Sequence, residues 1–227
     1  MFSSNPVALV VGGTSGLGAQ MAIRLATAYE VHITGRKRLV GVNAEKVHFH
    51  ELRLDDRGSL SDAIGELVEK LPPLNLFVYA AGFFQKGAID DLHESAISAM
   101  IDVGLQAPAF FLHHILARQR FLQGFIAITS TSQWTPRREE PIYTAVKAGL
   151  GMLAHSVSLD TSVERVVVAA PSGMRTRFWE QDGRDTSSML DPDWVAAQIL
   201  AQYKGAYGYK FLKILRDPPR VEVAEER

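Results

Sequence analysis

Short apolar runs alternate with longer amphipathic stretches along the whole chain. The runs Val7–Val11, Val31–Thr34, Val47–Leu52, Leu74–Ala80, Phe125–Thr129, Val166–Ala170 and Phe211–Leu215 are strand-length, and several are rich in Val and Ile. Strands buried on both faces of a parallel sheet have this composition. Helices are predicted between them. Gly16–Tyr29 opens after a glycine turn, and Ser59–Leu71 starts at a Ser cap and stops before Pro72-Pro73. Leu92–Phe121 holds Pro108, which predicts a kink or break near Ala107. Pro141–Thr161 follows, and Asp191-Pro192 starts a last helix to about Gln202 with Asp as cap. The pattern predicts one doubly wound α/β domain, with a mostly parallel sheet of about seven strands and helices on both faces. Gln133–Glu140 and Arg177–Leu190 read as irregular surface segments, and Gly35–Lys46 is short for a full crossover helix.

Composition narrows the possible functions. The chain has 227 residues, 47% hydrophobic and 22% charged, enough for one domain with a sizeable core. A formal net charge of -1 gives no electrostatic case for nucleic acid or an anionic membrane. No cysteine is present, which excludes disulfides, thiolate nucleophiles and Cys-type zinc sites. Met1–Val10 carries no basic signal-like region, and no apolar run approaches the ~20 residues of a bilayer span. A cytoplasmic protein is expected.

Val10-Val11-Gly12-Gly13-Thr14-Ser15-Gly16-Leu17-Gly18 joins the first strand to the first helix. Glycines allow the sharp turn and a close approach to a pyrophosphate, and the helix N-terminus offers free N–H groups. A tight connection alone would also use glycine. In a strand–turn–helix unit the segment points to a Rossmann-type dinucleotide site. The second strand ends Thr34-Gly35-Arg36-Lys37-Arg38. NAD-preferring folds usually carry Asp or Glu there for the ribose hydroxyls. Here Arg36 and Lys37 offer a guanidinium and an ammonium for a 2′-phosphate, so NADP(H) is expected to be preferred, with NAD(H) possible.

Tyr143 and Lys147 are spaced i, i+4, which puts them on one helix face. A nearby cation favours the phenolate and lowers a tyrosine's ordinary value of ~10, suiting the pair to proton transfer with an alcohol oxygen. The spacing also fits a half-buried Tyr beside a solvated Lys. Ser130, thirteen residues before Tyr143, strengthens the chemical reading.

Together these residues resemble the short-chain dehydrogenase/reductase family, over roughly Val7 to Thr176. Gly12, Gly16 and Gly18 match its Thr-Gly-x-x-x-Gly-x-Gly turn, with Val11 at the usual Thr. Ser130, Tyr143 and Lys147 match its catalytic Ser, Tyr and Lys. Pro171-Ser172-Gly173-Met174-Arg175-Thr176 is similar to the stretch that lines the nicotinamide, with Thr176 on its carboxamide. Tyr79-Ala80-Ala81-Gly82 keeps only Ala-Gly of an Asn-Asn-Ala-Gly segment, and Gly104 stands where the family has a catalytic Asn. A relay through that Asn side chain is therefore not available; water, or Asp102 in a locally distorted helix, could replace it. The resemblance implies hydride transfer between nicotinamide and a small carbonyl or secondary alcohol. Tyr143 would act as general acid/base, Ser130 would hold the oxyanion, and Lys147 would tune Tyr143 and bind the ribose. It also implies cofactor contacts from Gly12, Thr14, Ser15, Gly16, Leu17, Gly18, Arg36, Lys37, Ala81, Gly82, Tyr143, Lys147, Pro171, Ser172, Gly173, Met174 and Thr176. Asp55 is assigned to adenine, although a surface Asp fits as well. Residues 177–190 would form a substrate lid with Phe178, Trp179 and Met189 on its inner face. A homodimer or homotetramer is expected through the long helix and the Tyr143 helix, whose small residues Ala145, Ala148, Gly149, Gly151 and Ala154 also suit packing within one subunit.

Other positions carry less. Phe83-Phe84 could wall the pocket, and Gln133, Trp134 and Arg137 could touch substrate. His48 and His50 share a strand face, but without a carboxylate or third His at metal spacing they read as edge-strand residues, and no metal site is expected. His113-His114 face two directions.

Overall fold

The computed structural model describes residues 5–38, 46–55, 58–183 and 185–227. Among them runs one eight-stranded sheet in the order β3-β2-β1-β4-β5-β6-β7-β8. The strands are β1 (Val7–Val11), β2 (Glu30–Gly35), β3 (Val47–Glu51), β4 (Leu76–Tyr79), β5 (Leu122–Ile128), β6 (Val163–Pro171), β7 (Tyr209–Arg216) and β8 (Pro219–Glu226). All pair in parallel except β8, which returns antiparallel along β7. The seven expected strands are present. The eighth escapes the hydrophobic pattern because Pro219–Glu226 is charge-rich and largely exposed. Such composition is typical of an edge strand protected against further pairing.

The helices are α1 (Gly16–Leu25), α2 (Leu60–Lys70), α3 (Glu94–Ile101), α4 (Ala107–Gln119), α5 (Pro141–Val157) and α6 (Pro192–Gln202). They sandwich the sheet between two apolar layers. One layer holds Leu9, Phe77 and Phe125 with Ile64, Phe111 and Leu150. The other holds Val10, Val78 and Ile126 with Met21, Val195 and Ile199. The expected short link at Gly35–Lys46 falls mostly outside the described residues.

The long third helix does not break at Ala107. It runs from α3 into α4 through a π turn, Asp102–Gln106, in which the Ala107 N–H donates to the Asp102 carbonyl. Pro108 follows at the start of α4, so its missing N–H is accommodated by the change of register. The continuous run 94–119 is long and apolar enough, by length and composition, to cross a membrane. The sequence expectation of no such run therefore needs correcting. Here the helix is a core element, because Phe111, Leu112 and Ile115 are buried in the layer that covers Phe77 and Phe125.

On α5, several small residues serve packing within the subunit. A Cβ at Gly149 would come 3.3 Å from Leu105, one at Gly151 would lie 2.7 Å from Gln133 Oε1, and Ala154 is fully buried.

Candidate active site

The strand order reverses between β1 and β4, and at such a switch point the carboxyl ends of open α/β sheets leave a crevice. The turn after β1 lies against the segment after β4. Gly12 has φ +80°, and a Cβ there would sit 2.7 Å from the Ala81 backbone, so no other residue fits. Gly16, at φ +53°, brings the start of α1 beside Thr176: a Cβ would be 3.2 Å from Thr176 Cγ2. Ser15 caps α1 with extended backbone but makes no side-chain cap, and the first turn holds no acid. The free N–H groups and the positive end of the helix are left for an anion, which fits a dinucleotide pyrophosphate. Leu17 contributes backbone only, since its side chain is in the core.

Several of the other predicted cofactor residues lie in the chain segments around this turn. Thr14 packs on Gly35 at the end of β2, where a Cβ would lie 2.4 Å from Thr14 Oγ1. Arg36 and Lys37 follow directly and are exposed. Pro171 ends β6, Ser172 N–H donates to the Ile214 carbonyl at 2.8 Å, and Gly173 and Met174 pair with Leu190. This run delivers Thr176 to Gly16. Asp55 is exposed and ion-paired with Arg53 at 3.3 Å.

The Ser, Tyr and Lys come together. Ser130 follows β5 and accepts a hydrogen bond from the Ser132 N–H at 3.1 Å. Tyr143 on α5 lies near this hydroxyl, which acts in favour of the phenolate. Lys147 Nζ donates to the Ile128 carbonyl at 3.0 Å and lies 5.7 Å from the Tyr143 ring centroid. Burial lowers the Lys147 ammonium from its ordinary 10.5 to about 8. Burial also raises Tyr143 well above its ordinary value; Ser130 acts against this and the Glu140 charge adds to it. This differs from the expectation that Lys147 governs the phenol. The ring is almost wholly desolvated, and the ammonium is directed to Ile128.

Three aromatic rings cluster at Tyr143. Phe84 meets it edge-on at 5.3 Å and Phe178 is tilted at 5.9 Å, while Trp179 contacts both Phe84 and Phe178. Phe178 also reaches Gly82, where a Cβ would lie 3.6 Å from its ring and 3.7 Å from Lys147 Nζ. Residues Arg177–Asp182 form a short 3-10 turn, and Trp179 Nε1 donates to the Met174 carbonyl at 3.0 Å. Met189 is buried against Gly173. Phe83 is half-buried and packs against both the core layer and the cluster around Tyr143. Trp134 packs instead on Phe211 and Lys213 of β7, and Arg137 donates to Thr131 Oγ1, so neither joins the cluster around Tyr143.

Two features were missed in the sequence. Glu140 is buried at the start of α5, beside Tyr143. Tyr79, in the place of an Asn, donates its hydroxyl to the Val103 carbonyl inside the π turn. Gly104 lies in the same turn, and a Cβ there would be 2.1 Å from Val146 Cγ1. The Asn side chain expected from the family has no room.

The family model for short chain dehydrogenase matches residues 6–187. The chain is 30% identical over 219 residues to the uncharacterised oxidoreductase DltE of Bacillus subtilis (strain 168), covering 86% of this chain and 83% of that protein. Among solved structures it resembles a short-chain dehydrogenase from Sphingobium yanoikuyae in complex with NADPH, with TM-score 0.76, 20% identity and coverage of 87% and 84%. It also resembles a 3-oxoacyl-[acyl-carrier protein] reductase from Brucella melitensis in complex with NAD, with TM-score 0.74, 21% identity and coverage of 93% and 95%. The match takes in the glycine turn, Ser130, Tyr143 and Lys147, and on that extent the chain belongs to the short-chain dehydrogenase/reductase family of NAD(P)-dependent oxidoreductases.

Proposed function

We propose that the protein is an NADP(H)-dependent oxidoreductase that interconverts a small carbonyl compound and its secondary alcohol, with Tyr143 as general acid/base. The observation that carries this reading is Ser130 brought beside the buried Tyr143 phenol, with Lys147 one helical turn further on. Bound nicotinamide supplies or accepts the hydride. In the reducing direction Tyr143 gives its proton to the carbonyl oxygen. Ser130 donates a hydrogen bond to the charge developing there. Lys147 would hold the nicotinamide ribose. The aromatic cover of Phe84, Phe178 and Trp179 excludes water, and residues 177–190 are the lid that admits substrate.

The preference for NADP(H) rests on Arg36 and Lys37, exposed after β2 with no acid at the strand end. NADPH is bound in one structural neighbour and NAD in another, so the fold does not choose between them. Replacing Arg36 with Ala should weaken NADPH binding by roughly 10-fold or more and leave NADH nearly unchanged. Met152 on α5 and Leu159 just past its end are 64% and 73% exposed, which supports a homodimer or homotetramer. A cytoplasmic setting, with neither nucleic acid nor membrane as partner, fits the near-neutral charge.

The test is Tyr143→Phe against a carbonyl panel with NADPH. Turnover should fall ~100-fold or more while NADPH still quenches tryptophan fluorescence. Reduction at the wild-type rate would refute the role of Tyr143. The rival reading, a cofactor-binding regulator with little chemistry, draws on Gly104. It gains if the wild type binds NADPH yet reduces nothing on the panel.

A further inference from the structure

The sheet edge farthest from β8 holds an unexplained cluster. Parallel pairing sets His32 of β2 beside His48 of β3, and Thr34 beside His50. Glu30, two residues before His32, shares that face. Sequence spacing alone gave only the His48/His50 pair. The strand register adds the carboxylate and the third imidazole that this pair lacked.

We propose that Glu30, His32 and His48 bind one divalent transition-metal ion of zinc's class, with His50 holding His32 in the ligating tautomer. Glu30 Oε1 lies 3.4 Å from His32 Nε2 and 3.3 Å from His48 Nε2. Bonds of ~2.0–2.1 Å at the tetrahedral angle separate neighbouring ligand atoms by about 3.3–3.4 Å. Two edges of a tetrahedron are thus already at length. All three ligand atoms lie within 4.8 Å of one another, and the third edge closes by turning His48, whose side chain is 43% exposed.

His32 is the second observation. It is 6% exposed, and its Nε2 makes no hydrogen bond. Buried nitrogens are rarely left this way, and an ion is one of the explanations such an atom calls for. Its other nitrogen, Nδ1, lies 2.8 Å from His50 Nε2. When Nδ1–H donates to His50, Nε2 is the unprotonated nitrogen, 3.4 Å from Glu30 Oε1, while the His48 ring is stacked on His32 at 4.8 Å and has to turn for both nitrogens to face one ion. Metal-bound histidines are oriented by a hydrogen bond of this kind. Two imidazoles and one carboxylate suit zinc, cobalt or nickel better than magnesium or calcium. The fourth position opens to solvent between the half-exposed Glu30 and His48, leaving room for a water. Glu30 opens β2, at the opposite end of the strand from Gly35 and the glycine turn. The ion would tie the edge strand β3 to β2 without entering the chemistry at Tyr143.

The experiment uses the full chain without an affinity tag, stripped with EDTA and desalted. Zn2+ is titrated against a chromophoric chelator, Co2+ binding is followed by its visible absorption, and melting is measured with and without Zn2+. Wild type should take up about one Zn2+ per chain, give the intense bands of tetrahedral Co2+, and melt several degrees higher with the ion. Glu30→Gln and His48→Ala, both at half-exposed positions, should melt like wild type in EDTA and lose affinity by ~10-fold or more. His50→Ala should weaken binding similarly, and His50→Gln, which keeps an acceptor, should recover part of it. His113→Ala should bind as wild type does. The proposal is overturned if wild type takes up no Zn2+ in competition, if Glu30→Gln and His48→Ala both bind as tightly as wild type, or if His113→Ala abolishes uptake.

Discussion

Lys147 should destabilise the fold it serves, and Lys147→Met measures by how much. The side chain is 5% exposed, and burial lowers its ammonium from 10.5 to about 8. At ~1.4 kcal/mol per tenfold change in proton affinity, holding the proton inside costs the folded chain about 3 kcal/mol at pH 7. Methionine removes that cost but leaves the Ile128 carbonyl without its donor. An unsatisfied buried carbonyl costs roughly 1–3 kcal/mol. The variant should therefore be as stable as wild type at pH 7, or up to about 2 kcal/mol more stable, while turnover falls sharply. The pH dependence separates the two contributions. Below pH 8 the folded and unfolded chains both carry the proton, and the full cost is present. Between about 8 and 10.5 the unfolded chain still binds a proton that the folded chain has lost, so wild type gains stability as pH rises. The variant has no such group, and the difference between the two proteins cancels every other titration they share. Urea unfolding of both, without cofactor, at pH 7, 8, 9 and 10 should show wild type gaining on the variant by about 2–3 kcal/mol. A difference that stays flat over this range would refute the claim that burial dominates at Lys147.

Two further substitutions probe the surroundings. Gly104→Ala puts a methyl 2.1 Å from Val146 Cγ1 and should cost about 1–3 kcal/mol in urea unfolding. Adding Val146→Ala should restore part of that loss, and equal stability of Gly104→Ala and wild type would show that the helices are not in close contact there. Phe178→Ala removes the ring that covers Gly82 and leans on Tyr143. It should lower KM for bulky carbonyl substrates and shift kcat little, and an unchanged KM across substrate sizes would show that Phe178 is not the cover.

The sequence determined what local chemistry can determine. Strand-length runs of Val and Ile, the Pro72-Pro73 stop after α2 and an Asp-Pro start to α6 gave the element order, because these signals act within a few residues; the cap expected from Ser59 makes no side-chain hydrogen bond. The glycine turn and the Ser130, Tyr143 and Lys147 spacing were legible for the same reason: one strand end and one helix face suffice to place them. Tertiary structure decided the rest. β8 became a strand by pairing with β7, although its charged residues carry no buried pattern. The kink or break expected near Ala107 became a π turn, inside which Tyr79 from a distant strand donates to the Val103 carbonyl. Trp134 went to β7 and Phe84 to Tyr143, a choice that depends on which surfaces the sheet brings opposite each loop. Tyr143 was expected to answer to Lys147, yet desolvation by Phe84, Phe178 and their neighbours outweighs a charge one helical turn away. The histidine cluster shows the same division. His48 and His50 could be paired on paper, but only the parallel register of β2 and β3 brings Glu30 and His32 to them, since cross-strand contacts depend on register and not on distance along the chain.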